Sequence, residues 1–278
     1  MGKKHRFGYL LGLFLWLVHG PASAHEFWIE PLDFTLQTED TLLAHLKVGQ
    51  MLVGNQQVYL PDQFESFELI QHGAARPINS RLGDRPPVHE SGLQDGLAIL
   101  AYASTNRELR YSEAEKFQNF LDYEGLAWVK AVHQERGLPP EDFKELYRRY
   151  GKSLVKVGAG QGQDQVLGFP IELVLLDNPY QPPADKTASD VPVQLLWQGK
   201  PFADAQISVF FRAAGSDEVE RSLLTSDADG KALIPRPAQP GMMLLNAVQM
   251  VEPDAETAAA TESVWLSLWA SSTFYLEK

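Results

Sequence analysis

Val191-Pro192-Val193-Gln194-Leu195-Leu196-Trp197, the turn Gln198-Gly199-Lys200-Pro201, and Ala205-Gln206-Ile207-Ser208-Val209-Phe210-Phe211-Arg212 read as two strands of a hairpin. In the second strand Ala205, Ile207, Val209 and Phe211 share one face, as a period of two requires. Gly241 to Val251 and Val264 to Leu276 supply two more strands, and Thr225 to Gly230 is a turn rich in Asp and Gly. Short strands in succession, with no helices alternating between them, predict a β-sandwich over 191–278.

Upstream, Gln181 to Asp190 is Pro-rich and polar and reads as a linker. Thr41 to Val48, Phe64 to Ile70, Leu97 to Tyr102 and Gly168 to Leu176 are strand patterns of a β domain spanning 25–180. The period changes over 112–157. Ser112 with Glu115 fits a capping box, and Phe117, Phe120 and Leu121 follow at helical spacing. Pro139-Pro140-Glu141-Asp142 looks like a second helix start, with Phe143, Leu146, Tyr147 and Tyr150 as its stripe. The expectation is a mainly β chain, with an N-terminal β domain interrupted by a helical insertion and a C-terminal sandwich. Gly158 to Gly162 reads as a flexible connector.

The first residues form an export signal. Lys3, Lys4 and Arg6 precede an apolar run from Phe7 to Val18, and Pro21-Ala22-Ser23-Ala24 supplies a breaker and a cleavage box. The run is shorter than the roughly 20 residues that span a bilayer. Cleavage after Ala24 makes His25 the mature N-terminus and predicts a periplasmic protein without a direct membrane span. Removing 24 of 278 residues changes the formal charge from −12 to −15, because the leader holds three basic residues and no acid. So acidic a surface disfavours nucleic acid and anionic membranes as partners. With no cysteine, neither disulfides nor a thioether lipid anchor are available.

An N-terminal His offers one metal its α-amine and its imidazole Nδ1 as a bidentate pair. Both are borderline nitrogen donors, suited to Ni, Co, Cu or Zn, and both must lose a proton to bind. The strand-like Glu26-Phe27-Trp28-Ile29-Glu30-Pro31 that follows would tie this terminus down. His25 is therefore the first candidate metal ligand. His45, on a strand face with Leu43, and His89, on a loop after Arg85-Pro86-Pro87, are candidates for further ligands. His72 reads as a turn residue, and His133 as a solvent-facing residue of the helical insertion. Asp227-Ala228-Asp229-Gly230 lacks the rest of a calcium loop and reads as a β-turn, while Trp265 and Trp269 read as core. No local zinc motif or nucleophile elbow is present, so no catalytic residue is nominated.

His25 to Pro31, Val48-Gly49-Gln50, Glu124-Gly125-Leu126, Lys152-Ser153-Leu154-Val155, Asn178-Pro179-Tyr180 and Trp265 to Phe274 together resemble a bacterial exported family of unknown function. That family is labelled NikM-like, the periplasmic component of a cobalt/nickel transport system. The resemblance implies an immunoglobulin-like or transthyretin-like C-terminal sandwich and an association with transition-metal uptake. The expected function is a non-enzymatic metal-binding protein that uses His25 and serves nickel, cobalt or copper uptake. Its expected partners are the metal ion and a membrane transporter or outer-membrane receptor. A docking module of the envelope and a copper histidine-brace oxidative enzyme are the alternatives.

Overall fold

A computed structural model describes residues 25–182 and 190–277. The leader and its cleavage box lie outside the described residues, as does most of the 181–190 linker.

The first half holds β1 (Glu26–Pro31), β2 (Thr35–Leu36), β3 (Leu42–Gln50), β4 (Val53–Gln57), β5 (Phe64–Gln71), β6 (Ala74–Pro77), β7 (Val88–Glu90), β8 (Gly96–Ser104) and β9 (Arg107–Tyr111). Two helices, α1 (Ala114–Tyr123) and α2 (Ala127–Glu135), precede β10 (Phe143–Val157) and β11 (Ile171–Leu175). Then come β12 (Val191–Trp197), β13 (Lys200–Pro201), β14 (Gln206–Ala213), β15 (Glu220–Thr225), β16 (Lys231–Ile234), β17 (Gly241–Val251), α3 (Ala255–Thr261) and β18 (Ser263–Leu276).

The chain is mainly β, as the alternating patterns require. A ten-stranded sheet in the order β15-β14-β17-β18-β10-β8-β5-β6, with β2 and β9 added beside β10, forms the middle layer. A four-stranded sheet of β1, β3, β4 and β7 covers part of one face. A second four-stranded sheet of β11, β12, β13 and β16 covers the other. Strand β8 shows why. Ala98, Leu100 and Tyr102 pack with Phe27, Ile29, Leu42 and Ala44, while Leu97, Ile99 and Ala101 pack with Leu173, Val193 and Leu195. A strand buried on both faces needs a continuous apolar run rather than alternation.

Several expectations need correction. The insertion is helical only at α1 and α2; 143–157 is a 15-residue strand between β18 and β8/β9, not a second helix. Apolar residues on both strand faces imitate a helical stripe. Phe143 and Leu146 are both buried, yet they point to opposite sides of the sheet. Strands β12 and β14 do not form a hairpin. β12 turns back only to β13, and the chain then crosses to the middle sheet, where β14 pairs with β15 and β17. The strands on either side of 181–190 share one sheet, since β10 of the first half pairs in parallel with β18 of the second. One core cluster holds Ile99 and Leu154 together with Ile207, Met243 and Phe274. The expected capping box is also absent: Glu113 is the N-cap of α1 and makes no side-chain cap bond.

The connector after β10 is pinned down, contrary to its Gly-rich reading. Asn178 donates to the Gly160 and Gly162 carbonyls, each at 2.8 Å, and the Leu97 amide donates to the Gln161 carbonyl at 2.7 Å. Lys152, 1% exposed, donates to Asp164 at 2.9 Å and Glu172 at 3.2 Å. Both carboxylates also accept backbone N–H groups, from Leu175 and from Leu167, Gly168 and Phe169. That saturation is what lets three charges sit out of water.

Candidate functional site

Strand β1 is held by contacts from β3, β10 and β18. Glu26, Phe27, Trp28 and Ile29 are all nearly fully buried. Phe27 lies over Gly151, where a Cβ would stand 2.8 Å from its ring, so β10 needs glycine at this point for β1 to dock. Arg149 of β10 donates to the His25 carbonyl at 3.2 Å and stacks over the Tyr147 ring at 4.7 Å. Thr273 of β18 donates to the Ile29 carbonyl at 2.6 Å.

The other face of β1 carries Glu26, Trp28 and Glu30, turned towards β14 and β17. Trp28 packs on Phe210, Met242 and Leu244. At one end, Tyr123 donates to Glu26 at 3.1 Å, and Asn246 donates to Glu124 at 3.1 Å. Arg221 covers the Tyr123 ring at 3.7 Å. Burial raises the pKa of Glu26, and burial with repulsion from Glu26 raises that of Glu124 to about 8. This cluster seats the α1–α2 turn on the sheet. At the other end, Glu30 accepts from the Trp28 indole at 2.7 Å, Lys47 at 3.0 Å and Arg212 at 3.2 Å. These contacts hold its pKa below the usual value despite burial.

The candidate histidines do not converge. His45 pairs with Glu30 across the β1–β3 ladder, and so belongs to the Trp28 face. His25 precedes β1; the alternation of the strand, carried one residue back, gives it the parity of Phe27 and the opposite face. The five steps from His25 to Glu30 span roughly 17 Å of extended chain. His89 lies on strand β7 rather than a loop, opposite Leu43, which makes it a diagonal neighbour of His45. The structure thus brings His45 and His89 to one face, and by strand alternation His25 is not on it. Among the described residues no group of three or more His, Asp or Glu side chains is arranged to hold a metal. Burial, and after it Lys47, lowers the His45 pKa.

His133 is buried rather than solvent-facing. It accepts from the Trp265 indole at 3.0 Å and bonds the Pro139 carbonyl at 2.9 Å, so it locks α2 to β18. His72 is a turn residue with φ of 52°, as its place before Gly73 suggests. Trp265 and Trp269 are core. Asp227 closes its turn by accepting from the Asp229 and Lys231 amides.

Residues 22–251 match the family DUF4198, a domain of unknown function. The chain belongs to the DUF4198 family. No curated protein matches this DUF4198 chain. A solved structure described as "Crystal structure of tetra-tandem repeat in extending region of large adhesion protein" aligns at 11% identity and a TM-score of 0.22. The alignment covers 91% of this chain and spans 50% of that one, and so low a score carries no argument.

Sequence reasoning missed two groups, the Glu26–Tyr123–Glu124–Asn246 cluster and the buried Glu145. Glu145 lies in the aromatic core under α1 and α2, where it accepts from Ser267. Burial lifts its pKa to about 7, against the opposing pull of that bond. Because the run around Glu145 reads as a helix stripe, the sequence carries no signal that this carboxylate is buried.

Proposed function

We propose that this DUF4198 protein is exported to the periplasm and captures a divalent first-row transition metal at its processed amino terminus. The metal is nickel, cobalt or copper. Its ligands are the α-amine and Nδ1 of His25, and the protein serves uptake by passing the ion to a membrane transporter or outer-membrane receptor.

The observation that carries this reading is the anchoring of the terminus. A frayed end cannot hold a chelate geometry. Here Phe27 is seated on Gly151 and the His25 carbonyl is held by Arg149, one bond from the carbon that bears both donors. The donor set, an amine and an imidazole, fits borderline metals. It does not fit a three-nitrogen brace completed by His45 or His89, which lie on the other face of the sheet. A two-donor chelate leaves the remaining coordination positions open, which favours exchange with a partner over permanent storage.

The test is a titration with Ni, Co, Cu and Zn of protein processed to begin at His25, beside the same protein with its α-amine acetylated. Acetylation converts the amine to an amide and should weaken binding at least a hundredfold. Equal binding by both forms would exclude the terminal chelate.

A further inference from the structure

A cleft of about 600 Å³ opens where the segment after β1 meets the turn after β14. It lies on the Trp28 face of β1, away from His25. Its floor is Glu30, His45 and Arg212, and its wall is Phe34, Met242 and Tyr275. A cleft of that size with apolar walls and a few convergent polar groups is the usual form of a small-molecule site.

The polar groups of the floor are unequally satisfied. Glu30 is fully engaged by Trp28, Lys47 and Arg212. Arg212 is not. Of its five donors, one reaches Glu30 at 3.2 Å. Its remaining contacts, the Met242 sulfur and the Leu52 carbonyl, are each 3.5 Å away. Thioether sulfur is a weak acceptor, and 3.5 Å is long for a carbonyl bond. The guanidinium therefore keeps a pair of donors for a bidentate acceptor. The Nδ1 atom of His45 is also buried without a hydrogen-bond partner.

Charge and shape narrow the ligand. Lys47, which stands outside the lining, pairs with Glu30, so the cationic group left facing the cleft is Arg212, which matches one carboxylate. Asp33 at the mouth weighs against a dianion. The Phe34 and Tyr275 rings stack with centroids 6.1 Å apart, and with Met242 they present an apolar surface. We propose that this cleft binds a small monocarboxylate with an apolar body, its carboxylate on Arg212 and its body against Phe34, Met242 and Tyr275. The inference is independent of the amino-terminal chelate, because the two sites lie on opposite faces of the sheet.

Phenylacetate is a suitable probe, with phenylethanol as its neutral counterpart, each titrated into the metal-free protein and followed by NMR. A charge-assisted pair should make phenylacetate bind at least about tenfold more tightly than the alcohol. Arg212→Gln should erase that preference. Because Arg212 also supports Glu30, Ala214→Trp provides a second variant that fills the cleft from its rim and leaves the ion pair in place. It should abolish saturable binding. Equal affinity for acid and alcohol, unchanged binding in Ala214→Trp, or no saturable shift with phenylacetate would each overturn the proposal.

Discussion

Glu30 and His45 face each other across the β1–β3 ladder, one a carboxylate engaged by three donors, the other an imidazole with a buried, unpartnered Nδ1. The two share a face but differ in environment. The neighbours of Glu30 lower its pKa despite burial, and burial, then Lys47, lowers that of His45. In an NMR titration His45 should therefore lose its proton below the ordinary imidazole midpoint of 6.5. Lys47→Met should move it back up. A midpoint above 6.5 in the wild-type protein would show that Glu30 dominates instead.

Gly151 is the point on β10 where Phe27, and with it strand β1, is seated. A Val there would put its Cβ 2.8 Å from the Phe27 ring and push β1 off β10. Overpacking of this kind costs about 1–3 kcal/mol. The displaced terminus should also lose at least about tenfold in metal affinity, measured at a temperature where the variant remains folded. Unchanged affinity would mean that anchoring is irrelevant to the chelate.

Glu145 gives stability a pH dependence with a definite sign. Its folded pKa is raised from 4.5 to about 7. Between those values the unfolded chain is ionised while the native one keeps its proton. The native state thus binds more protons, and stability falls as pH rises through this window. The full effect is of order 3 kcal/mol. Glu124, raised to about 8, acts in the same direction. Urea unfolding at pH 5 and pH 8 should show Glu145→Gln to lose less stability than wild type over that interval. An identical loss in both proteins would show that Glu145 is ionised in the folded state.

How far the sequence revealed these features depends on how local their causes are. Strand β3 was legible because Leu42, Ala44 and Leu46 are buried while Leu43, His45 and Lys47 are not, a clean period of two. The β10 strand was not, since it is covered on both faces and its apolar residues no longer alternate. His25 and His45 were each visible as candidate ligands. That they occupy opposite faces follows only from the register of β1 on β3, which pairs residues far apart in the chain. His133 was misread for a similar reason, since its partner Trp265 arrives from the last strand.

Lys152 shows what a saturated buried ion cluster is worth when broken. Lys152→Met leaves Asp164 and Glu172 without their counter-charge and should destabilise the protein by about 3–5 kcal/mol. Lys156→Met, which breaks a partly exposed pair with Glu277, should cost less than about 1 kcal/mol. Comparable midpoints for the two variants in urea would contradict the structural role given to the triad.

The most direct measurement is electron paramagnetic resonance of the processed, copper-loaded protein, counting nitrogens bound to the metal in wild type, His45→Ala and His89→Ala. The terminal chelate predicts two equatorial nitrogens, both from His25, and the same spectrum in all three proteins. A third nitrogen that disappears in His45→Ala or His89→Ala would contradict it and place the metal on the opposite face of the sheet.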